Sequence, residues 1–349
     1  MSFLADNRAY ERWLREGCRV VEADLRTKHR LMRSDPFVFL RATFFRWART
    51  IEPLCPDLAN APAVLSVGDV HVENFGTWRD AEGRLVWGIN DFDEAAEIAY
   101  PFDLVRLATS ATLAPGRNLT AREIGAAILE GYRRGLTAPR ATLLDEDEAW
   151  AQPLIVCSDR ARKRFWREAR DYPAAKPPRE VARHLKQSLP TGSGKVHYAS
   201  RVSGSGSLGR PRYVAMAEWR GDHVVREAKA LVPSAWTWAH AARSHKIRLM
   251  ELATGRYRSP DPFLHVHGRF IYRRLAADSR KAELNDRRRL SLDLLSAMGF
   301  DVGSIHAAGS HRKTVLQDLD RRPRSWLYKA VKAARGAVIA DYEEWRALR

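Results

Sequence analysis

Apolar residues recur every three or four positions over residues 8–30 and again over 36–51, the period of amphipathic helices. Between them stands Ser34-Asp35-Pro36, where serine or aspartate can cap and proline can open the second helix. APAVLSV (61–67) then reads as a buried strand and RLVWGI (84–89) as a second. Together they predict a hairpin whose polar ends face one side. Helical spacing returns at 101–113 and 120–136 and predicts further helix to about residue 188. The character changes at LPTGSGKVHYASRV (189–202), where glycine and serine precede alternating residues. RYVAMAEW (212–219) and HVVREAKAL (223–231) alternate as strands around the turn Arg220-Gly221-Asp222. A helix over about 234–253, strand-like residues at 263–275 and helices from 286 onward complete the pattern. No repeat or low-complexity tract interrupts it. The expected fold class is α+β, with a small antiparallel sheet set between helical segments.

The most polar stretch sits between two apolar runs. VGDVHVENFGTW (67–78) holds Asp69, His71, Glu73 and Asn74 in one turn after a strand, and Asp91 and Asp93 close the next strand. Phosphoryl transfer needs a carboxylate to orient the attacking hydroxyl and hard oxygen ligands for magnesium. Asp69 fits the base, with Asn74 and Asp91 as metal ligands. Taken singly, each such residue is more often a backbone cap in a turn. The joint pattern, D-x-H-x-x-N-F-G followed by I-N-D-F-D, points to a site. A zinc or di-metal hydrolase built from Asp69, His71, Glu73 and Asp91 is the weaker alternative, because no spacing ties His240, His245, His265 or His267 to His71. Asp103, near the start of a predicted helix, reads by default as a cap that could also brace the turn. Arg106 could face the same way or lie at the surface.

GSGSLG (204–209) fits G-x-G-x-x-G, a weak signal alone. A dinucleotide site would need a helix directly after the loop. Here Arg210-Pro211-Arg212 and an alternating strand follow, so strand, loop, strand predicts a flap over phosphates instead, with Gly204, Gly206 and Gly209 at its bends. The next strand carries Lys229, placed to grip phosphates. A flexible glycine-serine connector is the bland reading. These parts come in an unusual order, with the acidic turn more than a hundred residues before the flap and Lys28 the only lysine upstream of Asp69. A circular permutation accounts for that order.

Bulk properties narrow the setting. The chain has 349 residues, 45% hydrophobic and 29% charged, enough for a core without disulfides. Cys18, Cys55 and Cys157 form no close pair, which argues against a zinc ribbon or a disulfide scaffold. The charged first residues lack the apolar core of a signal peptide, and no apolar run reaches membrane-spanning length. A cytoplasmic protein without membrane partners is expected. The net charge of +17 would attract nucleic acid, anionic lipid or a phosphorylated ligand. The basic stretches 159–172 and 319–336 nevertheless read as solvated helix faces and contain no nucleic-acid module, so nucleic acid is not favoured.

GDVHVENFG, NDFDEA and PFDLVRLATS resemble the bacterial family catalogued as domain of unknown function 2252, as do SDPFVFLRA (34–42), RVSGSGSLG and AKALVPSA (228–235). That family in turn looks like a permuted relative of the aminoglycoside and choline phosphotransferases. The resemblance implies a two-lobed protein-kinase-like fold, with a large lobe over 1–190, a small flap lobe over 191–280 and helices of 281–349 returning to the large lobe. It implies Asp69 as base, Asn74 and Asp91 as magnesium ligands with Asp93 beside them, the flap glycines, and Lys229 as the phosphate clamp. ATP and Mg2+ would be the cofactors, with an unknown hydroxyl acceptor, small molecule or protein, that the basic surface would suit if anionic. Val67 departs from the histidine common at that place. Glu227 is assigned to the strand face opposite Lys229, which leaves Glu251 as the candidate acidic partner. A nucleotide-binding regulator without turnover and a basic polyanion binder are the alternatives, and the same metal site could also serve adenylyl transfer.

Overall fold

The computed structural model describes residues 2–116, 118–144, 158–242, 244–279 and 290–348. The chain opens with α1 (Phe3–Gly17), α2 (Glu22–Leu31), α3 (Pro36–Ala42), α4 (Phe44–Leu54) and α5 (Pro56–Ala59). Each of the two long helices expected here is broken in two. The first stops at Cys18 because Val21 turns aside to donate its N–H to Gly209 O at 2.8 Å. The second breaks at Thr43, whose hydroxyl donates back to Phe39 O at 2.7 Å instead of extending the helix. Asp35 does cap α3, accepting from Val38 N, with Pro36 in its first turn.

Among the described residues three antiparallel sheets follow, giving a mixed helix-and-sheet protein. β1 (Ala63–Ser66) pairs with β4 (Ala96–Ala99). β2 (Phe75–Arg79) pairs with β3 (Leu85–Ile89), and the short β5 (Thr142–Leu143) joins β3. The expected hairpin between 61–67 and 84–89 therefore does not form. β3 pairs instead with β2, a strand hidden in the tail of the polar motif, because a tight loop closes more cheaply than a long one. Asp80 holds that loop through the N–H groups of Glu82 and Arg84, and Gly83 takes a positive φ.

The third sheet runs β6-β7-β8-β10-β9, with β6 (His197–Ser200), β7 (Arg212–Trp219), β8 (Asp222–Ala230), β9 (His265–His267) and β10 (Phe270–Leu275). Arg220 and Gly221, both at positive φ, make the two-residue turn between β7 and β8, so Asp222 belongs to the strand. Of the helix expected to continue to 188, α8 (Asp159–Arg170) and α9 (Arg179–Gln187) are seen, while 145–157 lies outside the described residues. Val181 and Leu185 of α9 pack on Ala215, Ala217, Ala228 and Tyr272 to give this sheet its own small core.

The main core joins α6 (Pro101–Leu113), α7 (Ala121–Thr137), α12 (Leu292–His306) and α14 (Trp326–Ala347) to the first strands. The expected helix 234–253 is two short pieces, α10 (Ala235–Ala239) and α11 (Leu249–Ala253), and α13 (Arg312–Arg321) precedes α14. The start of the helix expected from 286 lies outside the described residues. α7 and α12 touch backbone to backbone. Gly131 and Gly135 on one helix and Gly299 and Gly303 on the other sit where a Cβ would collide with main-chain carbonyls across the crossing. Small residues four apart on both helices permit this approach, as in close helix crossings generally. At the far end of the chain, Glu344 of α14 accepts from the N–H groups of Phe3 and Leu4 at 3.1 and 3.3 Å. Among the described residues, no helix is long and apolar enough to cross a membrane.

Candidate functional site

The polar turn begins where β1 ends. Gly68 has φ +80°, and a Cβ there would strike Glu94 O, so the turn closes tightly only with glycine. Asp103 does not cap α6. It accepts from Val67 N at 2.8 Å and Gly68 N at 2.9 Å and so braces the turn itself. Behind it, His306 Nε2 lies 3.1 Å from Asp103 and Nδ1 3.0 Å from the Tyr132 hydroxyl, a buried relay from α7 and α12. Tertiary packing has recruited a carboxylate that sequence position alone assigns to a helix end.

Asp69 projects from this braced turn toward Arg106, which is 1% exposed rather than at the surface. Arg106 Nε and Nη2 donate to Asp69 Oδ1 at 2.8 and 2.5 Å, and Nη2 also reaches Leu40 O. Burial pushes the Asp69 carboxyl up from its ordinary pKa, against the pull of Arg106. Asn74 ties the turn to the end of β3, its Nδ2 donating to Asp69 O at 3.0 Å and Asp91 O at 3.2 Å. The predicted base and the Asn74 and Asp91 segments thus share one corner.

Lys229 of β8 reaches the same corner. Its Nζ stands 2.5 Å from Asp93 and 3.3 Å from Asp91, with the lysine 2% exposed. Its acidic partners are therefore the two aspartates, not Glu251, which pairs with Lys246 and Arg248. Glu227 shares a face with Lys229, contrary to the sequence assignment, because residues two apart in a strand point the same way. The register confirms it: Arg212, opposite Lys229, hydrogen-bonds Glu227 at 3.0 Å. Arg210 completes the acidic side, binding Asp93 at 3.1 Å and Glu94 at 3.0 Å. Glu94 also receives the N–H of Ala235 at 2.6 Å and so fixes the start of α10.

The loop Gly204–Gly209 lies over Asp69. A Cβ on Gly206 would stand 2.9 Å from Arg41 O and 3.5 Å from Asp69 Oδ2, and one on Gly209 would collide with Leu25. Lys28 Nζ donates to Gly206 O at 3.3 Å. Burial, with Arg210 adding to it, pushes the Lys28 pKa down to about 8. Between loop and turn remains a cavity of ≈ 50 Å³, lined by Asp69, Asn74, Asp91, Asp93 and the loop. Beyond Gly204 and Arg41 it meets a second cavity of ≈ 390 Å³ bounded by Thr77, Ile89, Asn90 and Leu275. Lys28, Arg41, Arg106, Arg210 and Glu94 were not read as site residues. Lys28 carried the one available signal, as the only lysine before Asp69.

Of the histidines considered for a hydrolytic centre, His71 lines the small cavity with Asp69, while His240 and His267 are engaged away from the turn. His240 bonds Glu52, and His267 bonds Glu180. Among the described residues, the group of histidine and acidic side chains close enough to hold a metal is Glu180, His184 and His267, away from the turn.

No curated protein and no solved structure matches the chain. Residues 19–142, which include Asp69, Asn74, Asp91, Asp93 and Arg106 but neither the loop nor Lys229, match the model of the family described as an uncharacterized protein conserved in bacteria (DUF2252), the family that the sequence motifs resemble.

Proposed function

We propose that the protein is an ATP- and magnesium-dependent phosphotransferase acting on a hydroxyl acceptor, with a permuted protein-kinase-like arrangement of two lobes. The observation that carries this reading is the meeting of Lys229 with Asp91 and Asp93 beneath a glycine loop that covers Asp69. A strand lysine, a flap and an acidic metal corner are the parts that phosphoryl transfer needs, and here they converge from segments far apart in sequence.

The residues present fit both cofactors. Asp93 Oδ1 and Ser205 Oγ are buried without a hydrogen-bond partner, an acceptor on the metal side and a hydroxyl on the phosphate side. Asn74 spends its amide N–H groups on backbone carbonyls, which leaves its Oδ1 as the ligand atom beside Asp91 and Asp93. Magnesium bound there would neutralise phosphate charge. Asp69 orients the acceptor hydroxyl and takes its proton, while Arg106 fixes the rotamer of the carboxylate. Lys229 holds phosphate oxygens, and the loop amides cover them. The space under the loop, ≈ 50 Å³, is far below the roughly 300 Å³ at which small-molecule sites begin, so the loop rises to admit phosphates.

Thermal unfolding with and without ATP and magnesium tests the reading. A ligand at a hundred times its dissociation constant adds about 2.7 kcal/mol. A magnesium-dependent rise in the wild type, absent in Asp91→Ala, is expected, and no rise in the wild type would overturn the proposal. A second reading, a nucleotide-binding regulator, draws on the firm Arg106–Asp69 pair, which holds the base carboxylate in an ion pair. ATP binding without turnover on any acceptor, or on the protein itself, would select it.

A further inference from the structure

The larger cavity carries a charge imbalance that the proposed reaction does not use. Glu227 is fully buried, and three guanidiniums converge on it: Arg201 at 2.7 Å, Arg212 at 3.0 Å and Arg273 at 2.5 Å. The strand registers cause this, since Arg273 lies directly across from Glu227 and Arg212 diagonally across. Burial alone would raise the Glu227 pKa, yet the three arginines hold it well below the carboxylate range. Among the described residues, three cations thus face one permanent anion, which leaves two positive charges over.

The other arginines around the cavity are each matched. Arg41 pairs with Glu73, Arg164 with Glu168, Arg258 with Asp301 and Arg274 with Asp261. Among the described residues the surplus therefore sits at the Glu227 cluster. Arg212, 4% exposed at its side chain, also has a buried Nε–H without a partner. A buried donor left unpaired costs on the order of 1–3 kcal/mol, a cost that a bound acceptor would relieve. Arg201 and Arg273 are 23% and 22% exposed, open to the cavity while anchored at one end. Guanidinium forks match the paired oxygens of carboxylate and phosphate alike, and a surplus of two charges suits the more highly charged phosphate. The volume of ≈ 390 Å³ lies in the range of small-molecule sites.

We infer that Arg201, Arg212 and Arg273, held in place by Glu227, form a phosphate-binding subsite in the cavity next to the Asp69 turn. The subsite deepens the nucleotide reading and rests on it only for the source of the phosphate. Two sources share this chemistry: the phosphates of the nucleotide itself, or a phosphate group on the acceptor.

Calorimetric titration with inorganic pyrophosphate in metal-free buffer tests it. Wild-type protein binds, and Arg201→Gln and Arg273→Gln each weaken binding at least tenfold. Arg183→Gln, on the exposed face of α9 outside the cavity, stays within twofold. No binding by the wild type, or an equal loss in Arg183→Gln, overturns the subsite. Should Arg273→Gln not fold, Arg273→Lys keeps the charge without the fork and still weakens binding; unchanged affinity in it and in Arg201→Gln overturns the inference. Asp91→Ala retains pyrophosphate binding, and its loss there counts against an independent subsite. If the magnesium-dependent effect of ATP fails in the wild type while pyrophosphate binding follows the arginines, only the nucleotide reading falls. Competition between pyrophosphate and ATP then assigns the subsite to the nucleotide, and simultaneous binding assigns it to the acceptor.

Discussion

Asp69 and Arg106 show how a single side chain acquires its setting. Arg106 is buried and satisfies Asp69 and Leu40 O together. Arg106→Leu leaves a carboxylate facing an apolar wall and a carbonyl without its donor, and removing one partner of a buried pair costs about 3 kcal/mol. Urea unfolding should show that loss, and a change under 1 kcal/mol would mean the pair contributes little. That Asp69, Asn74 and Asp91 share one corner was legible because their residue types and spacing form one pattern. Arg106 was not, since an arginine on an apolar helix reads the same at a surface or in a core until the fold supplies its partner. Lys28 gives a pH signature. Its folded pKa of about 8 lies below the ordinary lysine value, so between the two the unfolded chain holds more protons and stability rises with pH. The wild type should gain on Lys28→Met across that window, by at most about 1.4 kcal/mol per pH unit. A flat difference between the two curves would place Lys28 in a solvated setting.

Among elements, α6, α7, β7 and β8 agree with the sequence expectation to within a residue. Their periodicities are long and their turns carry strong signals. Strand pairing was less legible. APAVLSV and RLVWGI were both recognised, but an apolar run does not state its neighbour, and β2 was absorbed into the motif it completes. The crossing of α7 and α12 was equally silent, because glycines inside helices usually lower confidence in the helix. Here they set the distance between two helices. Gly135→Ala drives a methyl into Phe300 O and should destabilise by about 3 kcal/mol or more, toward the upper end for overpacking. Gly336→Ala in α14, where a Cβ would meet nothing within 4 Å, should instead stabilise by about 0.4–1 kcal/mol. Denaturant midpoints of the two variants moving in the same direction would contradict the crossing.

At the scale of the molecule, the candidate site is a junction. Lys28 comes from α2, Arg41 from α3, the acidic corner from the first two sheets, and Lys229 with the loop from the third. Lys229 and Arg210 reach across from that third sheet to Asp91, Asp93 and Glu94, so the sheet is fastened to the helical body through the site itself. On the proposed function, Lys229→Ala should weaken magnesium-ATP binding at least tenfold in a calorimetric titration; unchanged affinity would remove the lysine and the loop from the proposed nucleotide site. The net charge of +17 is less informative than its size suggests. Many of the arginines are spent inward on carboxylates, and a bulk count cannot distinguish a paired cation from an available one.

The contact of Glu344 with Phe3 and Leu4 bears on how the chain is threaded. Residues 340 and 341 positions apart in sequence are neighbours in space, so the route of the polypeptide is close to a ring with one gap. A short linker across that gap, with a new opening at the unobstructed Gly192 turn, would deliver the loop and Lys229 first and the acidic corner afterwards. Apart from the hydrogen bonds of Ser193 to Pro190 O across the opened turn, the non-covalent neighbours would be kept. If such a rethreaded chain folds with the same stability, the unusual order of parts belongs to the itinerary of the backbone and not to the architecture it builds.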